Sequence, residues 1–89
     1  MISRDVVITN TSGLHARPAT FFVQKANAYK STIWIEKDDR KVNAKSLLGV
    51  LSLGITKDTE IVIIADGPDE EFAIEGLIEI IQGGFVDNK

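Results

Sequence analysis

Val6 and Ile8 alternate with Val7 and Thr9 and run into Asn10-Thr11-Ser12-Gly13, a strand pattern that ends in a turn. From Ala16 the period changes. Ala19, Phe22, Val23 and Ala26 recur at helical spacing, which predicts a helix of about three turns ending near Tyr29. Alternation returns at Ile33 and Ile35, with Trp34 on the opposite face, and the charged run Lys37-Asp38-Asp39-Arg40 leads to Val42. That is the pattern of two strands joined by an exposed hairpin.

Ser46 precedes Leu47, Leu48, Val50 and Leu51, a short apolar helix with a serine N-cap, closed by Gly54. Ile61-Val62-Ile63-Ile64-Ala65 carries the strongest strand signal and is punctuated by Gly67-Pro68. Asp69-Glu70-Glu71 suit the positive start of a last helix. That helix puts Ala73, Leu77, Ile80 and Ile81 on one face, widened by Ile74 and Ile78, and stops at Gly83-Gly84 before a frayed tail from Phe85. The order is βαββαβα. Its economical packing is α+β: an open-faced sandwich in which a four-stranded, mostly antiparallel sheet is covered on one face by three helices. Residues 1–89 form one domain in this reading, with no repeat or linker.

Composition narrows the function. Hydrophobic residues make up 44% of 89, enough for one core. A net charge of -3 argues against a nucleic-acid binder, which needs a basic footprint on phosphate. The chain has no Cys and one His, so disulfides, thiolate sites and a zinc or iron centre are not expected, and no cofactor is implied. No apolar run reaches the length of a membrane span, and Arg4 and Asp5 interrupt any signal-peptide pattern. A cytoplasmic location is the expectation.

Chemistry concentrates in Gly13-Leu14-His15-Ala16-Arg17-Pro18-Ala19-Thr20, where the single imidazole meets a predicted helix start. The first turn of a helix carries unpaired N–H groups and partial positive charge, so an anion is stabilised there. Pro18 costs little in that turn. A neutral imidazole at this place is able to attack phosphorus, and the planar fork of Arg17 suits the charge spread over phosphoryl oxygens. By itself a His beside a turn is an ordinary half-exposed loop residue. Gly, Arg and Pro around it make the pattern far narrower.

That octapeptide resembles the phosphorylation-site signature of the HPr phosphocarrier family, and Val42-Asn43-Ala44-Lys45-Ser46-Leu47-Leu48-Gly49-Val50-Leu51-Ser52-Leu53-Gly54 resembles its regulatory-serine signature. The likeness spans nearly the whole chain and agrees with the βαββαβα order. It implies that His15 receives phosphate from enzyme I and delivers it to IIA domains of sugar permeases, with Arg17 contacting the phosphate. It implies further that Ser46 is phosphorylated by an HPr kinase/phosphorylase, and that the product acts as corepressor of a catabolite-control transcription factor. Ala16 and Thr20 in the first motif, and Leu47, Leu48 and Leu51 in the second, are carried over as partner-contacting positions. The leucines are expected to form an exposed apolar patch near His15.

Each residue also has a plainer reading. Ser46 is explained by helix capping alone, and the leucines by core packing. The two roles of Ser46 are compatible, because a phosphate at a helix N-terminus is favoured by the dipole. Trp34 to Ser46 also resembles Crh, a regulatory paralogue that has Gln where this chain has His15. A mainly regulatory protein is therefore the second reading. A hydrolase built on His15 with Ser12 or Ser46 lacks a nucleophile-elbow pattern, and a binding module with an unused His is the remaining alternative.

Overall fold

The computed structural model describes residues 1–83, which form β1 (Ile2–Val7), α1 (Ala16–Asn27), β2 (Thr32–Lys37), β3 (Arg40–Asn43), α2 (Leu47–Ser52), β4 (Glu60–Asp66) and α3 (Glu70–Gln82). The strands make one sheet in the order β1-β4-β2-β3, and every pairing is antiparallel. The tail expected to fray from Phe85 lies outside the described residues.

The alternation in the two central strands fixes the register. Ile35 stands opposite Ile63 and Ile33 opposite Ala65, and these side chains are all buried under the helices. Trp34 and Ile64 pair on the other face, half-buried, where the Lys41 ammonium lies 5.3 Å from the Trp34 ring. A slip of one residue would turn the whole apolar set out to solvent. β1 starts at Ile2, earlier than the alternation at Val6 indicates. It is an edge strand whose Ser3, Arg4 and Asp5 are exposed, so pairing with β4 defines it and not an apolar stripe. The hairpin turns at Asp38, whose φ of 56° is left-handed, a conformation that Asp tolerates better than most residues.

Phe22, Ala19 and Ala26 of α1, Val50 of α2, and Ala73, Ile74, Leu77 and Ile81 of α3 complete the core. Ile74 is central and Ile80 only half-buried, so the buried stripe of α3 is rotated slightly from the one expected. Gly76 is buried because the Tyr29 hydroxyl occupies the space a Cβ would need. Asp69 is the N-cap of α3, yet its carboxylate does not cap that helix. It accepts instead from the Lys30 N–H (2.9 Å), the Ser31 N–H (2.9 Å) and the Ser31 hydroxyl (2.6 Å). The Glu70 carboxylate accepts from the Gly67 N–H at 3.0 Å and closes the turn that leads into the helix.

Among the described residues, no helix is long and apolar enough to cross a membrane.

Candidate functional site

The loop before α1 is built around a close approach. Gly13 has φ +61° and lies so near the Ile55 carbonyl and Thr56 Cα that any side chain there would collide with backbone. The Leu14 N–H donates to the Ile55 carbonyl at 3.0 Å, and its side chain is fully buried. Asn10 closes the turn from the other side. Its carbonyl accepts from the Gly13 N–H at 3.2 Å, and its side-chain amide donates to the Gly13 carbonyl at 2.9 Å. The backbone is therefore held on both sides up to the residue before His15.

His15 is the N-cap of α1, in extended conformation (φ -122°, ψ 151°), and its imidazole is exposed. The side chain makes no capping hydrogen bond, so the first-turn donors are not taken up by it. Ala16 opens the helix, and Arg17 is exposed in its first turn with no ion-pair partner among the described residues. Thr20 is half-buried one turn further on. An exposed imidazole, an exposed guanidinium two residues on and the positive end of a helix thus lie together at the start of α1.

Ser46 caps α2, its hydroxyl accepting from the Gly49 N–H at 3.1 Å while its carbonyl accepts from Val50. The two helices run in opposite senses. The Asn27 side chain at the end of α1 donates to the Lys45 carbonyl, whereas Gly13 and Leu14 at the start of α1 meet Ile55, just beyond α2. Twelve residues of α1 at about 1.5 Å each put roughly 18 Å between the His15 end and the Ser46 end. Phosphate groups on the two residues would not touch.

Leu48 is 82% and Leu47 40% exposed, so an apolar surface lies on α2, the helix that Ser46 caps. Leu51 departs from the expected patch. It is half-buried and packs on the core, because the neighbouring Val50 turns fully inward and draws that side of the short helix toward the sheet.

Three contributors to this region were missed in the sequence. Arg40 donates to the Ser52 carbonyl (2.8 Å) and hydroxyl (3.1 Å), and the Lys37 ammonium to the Leu53 carbonyl (3.1 Å). These two cations from the β2–β3 hairpin satisfy the end of α2 and suit its negative pole. Lys45 does the same beyond α1, donating to the Tyr29 carbonyl at 2.7 Å. In the sequence Lys37 and Arg40 read only as part of an exposed charged run and Lys45 only as part of the second signature, and nothing local tells which carbonyl a surface cation will find.

A family model described as the phosphotransferase-system HPr component phosphorylation site matches residues 2–83. The HPr-like protein Crh of Bacillus subtilis (strain 168) is 45% identical over 82 residues, covering 92% of this chain and 96% of that protein. The HPr-like protein Crh of Halalkalibacterium halodurans is 48% identical over 82 residues, covering 92% and 98%. The crystal structure of HPr-C-His from Thermoanaerobacter tengcongensis superposes with a TM-score of 0.95 at 45% identity, over the full length of both chains.

Proposed function

Because the chain belongs to the HPr family of the phosphotransferase system, we propose that it is a phosphocarrier that takes a phosphoryl group onto His15 from enzyme I and passes it to IIA domains of sugar permeases. The observation that carries this reading is the exposed imidazole at the N-cap of α1, with its ring free of capping and Arg17 two residues on. An unprotonated ring nitrogen attacks phosphorus as the bond from phosphorus to the donor, enzyme I, breaks, so the phosphoryl group moves without release to water. Charge on its oxygens is met by the Arg17 fork and the helix start. The phosphoramidate formed has a good leaving group, as a carrier requires. No reaction is completed on this chain alone, so it acts as a relay component and not as an enzyme.

Leu47 and Leu48 of α2 serve as the docking surface, and Ala16 and Thr20 extend it along α1. Ser46 is a regulatory phosphorylation site for an HPr kinase/phosphorylase, with a catabolite-control transcription factor as reader of the product. Similarity to the two Crh proteins supports a second reading, a mainly regulatory paralogue, while the imidazole at position 15 favours the carrier.

Incubation with phosphoenolpyruvate and enzyme I tests the assignment. One acid-labile phosphate per chain is expected on the parent and none on His15→Ala. Labelling that persists in His15→Ala, or that resists mild acid as a phosphoserine would, defeats it.

A further inference from the structure

Asn10 sits five residues before His15 and was legible in the sequence only as a turn former. In the structure its side-chain amide and its own carbonyl grip Gly13 from both ends, the amide nitrogen donating to the Gly13 carbonyl at 2.9 Å and the Asn10 carbonyl accepting the Gly13 N–H at 3.2 Å. The amide oxygen of the same side chain is buried and has no hydrogen-bond partner. A buried acceptor left without a donor opposes folding, and such groups are uncommon enough in native proteins to require a reason. An apolar residue would relieve that penalty but would give up the side-chain bond to the Gly13 carbonyl, leaving only the backbone half of the grip.

Gly13 cannot be held by its own side chain and is in a left-handed conformation against the Ile55 carbonyl, two residues before the imidazole. Its carbonyl is the group on which Asn10 pulls. We infer that Asn10 is a positioning residue for phosphoryl transfer: it clasps Gly13, and through Gly13 it sets where the His15 ring stands relative to the start of α1. This rests on the carrier reading and adds to it a residue that does not touch the phosphoryl group. Misplacing a reacting atom by about 1 Å is able to cost a factor of a hundred in rate, so a loosened clasp acts on turnover. Docking on α2 is left alone, because no bond from Asn10 reaches that helix.

The test compares Asn10→Ala and Asn10→Asp with the parent. Asp keeps the shape but has no hydrogen to donate to the Gly13 carbonyl. With phosphoenolpyruvate, enzyme I and each chain as substrate, both variants are expected to lose about tenfold in kcat at an unchanged KM. Tm of Asn10→Ala should stay close to the parent's, since the loss of one bond is offset by loss of the orphaned oxygen, whereas Asn10→Asp, which sets a second acceptor against the Gly13 carbonyl, should melt lower. The His15 amide and ring resonances should shift in both variants while those of Leu47 and Leu48 do not. Parental kcat in either variant overturns the inference, as does a loss that falls wholly in KM. Unfolding of Asn10→Ala also overturns it, by making Asn10 a residue of the fold. A parent that accepts no phosphate defeats the carrier reading on its own. His15 resonances unmoved by both substitutions would then reject the positioning role separately.

Discussion

At His15 and Arg17, the transfer chemistry we propose falls to exposed side chains that do little for the fold. Arg17 is exposed and has no ion-pair partner among the described residues, so no ion pair among them is lost with it. Arg17→Ala is expected to change stability by no more than about 0.5 kcal/mol, as for other exposed positions. Transfer should slow by at least about tenfold, because a charge-assisted contact to the transferring group is worth 1.5–3 kcal/mol or so. Thermal melting and enzyme I kinetics together check both halves. Ser46 is the opposite case. Its hydroxyl accepts the Gly49 N–H in a helix of only six residues, so Ser46→Ala should cost about 1 kcal/mol, a fall in Tm of roughly 4–8 °C. A melting curve superposable on the parent's would remove the capping role.

α2 combines two properties that seldom go together, an exposed apolar surface and firm anchoring. Lys37 and Arg40 tie its last carbonyls to the hairpin, and Val50 locks it to the core. The surface it offers is therefore preorganised, and binding loses little to ordering it. Leu48→Ala is expected to raise the KM for enzyme I several-fold with stability unchanged, since a side chain 82% exposed contributes little to the core. Ser46→Asp should raise the same KM while keeping the helix capped, because Asp is as good an N-cap as Ser and its charge suits the helix start. Phosphoserine, at about -1.5 to -2, should do so more strongly. With roughly 18 Å between the two residues, the effect belongs to docking and not to contact with His15. Unchanged KM values in Ser46→Asp and in the serine-phosphorylated protein would leave Ser46 as a cap alone.

At the scale of the whole molecule, Asp69 ties the start of α3 to the segment that enters β2, beside the Thr32–Asp66 end of the β2–β4 pairing. The Ser31 hydroxyl, helped by the Lys30 and Ser31 N–H groups, holds its carboxyl below the ordinary aspartate value of 3.8. A carboxylate whose pKa is depressed in the folded state contributes stability that is complete above the unfolded value and lost as pH falls through the folded one. Asp69→Asn should therefore melt several degrees below the parent at neutral pH. The gap should narrow as pH drops below 3.8 and the parent's own carboxylate protonates. A gap that stays constant down to the acid limit would show that the bonds do not depend on ionisation.

What the sequence determined by itself is what short-range physics decides. Alternation at Ile33–Ile35 and Ile61–Ala65, helical spacing from Ala19 to Ala26, and Ser46 as a cap are consequences of backbone periodicity and local hydrogen bonding, and they carried the order of elements and the place of His15. β1 was legible only from Val6, because Ser3, Arg4 and Asp5 of this edge strand are exposed and interrupt any apolar alternation. Leu51 turning half inward, Asp69 bonding across to Ser31, the cations of the hairpin reaching the end of α2, and Asn10 clasping Gly13 were decided by the tertiary structure. Each depends on which distant carbonyl, amide or core surface the fold brings within about 3 Å, and hydrogen bonds of that range fall away too steeply with distance for residue type alone to name the partner.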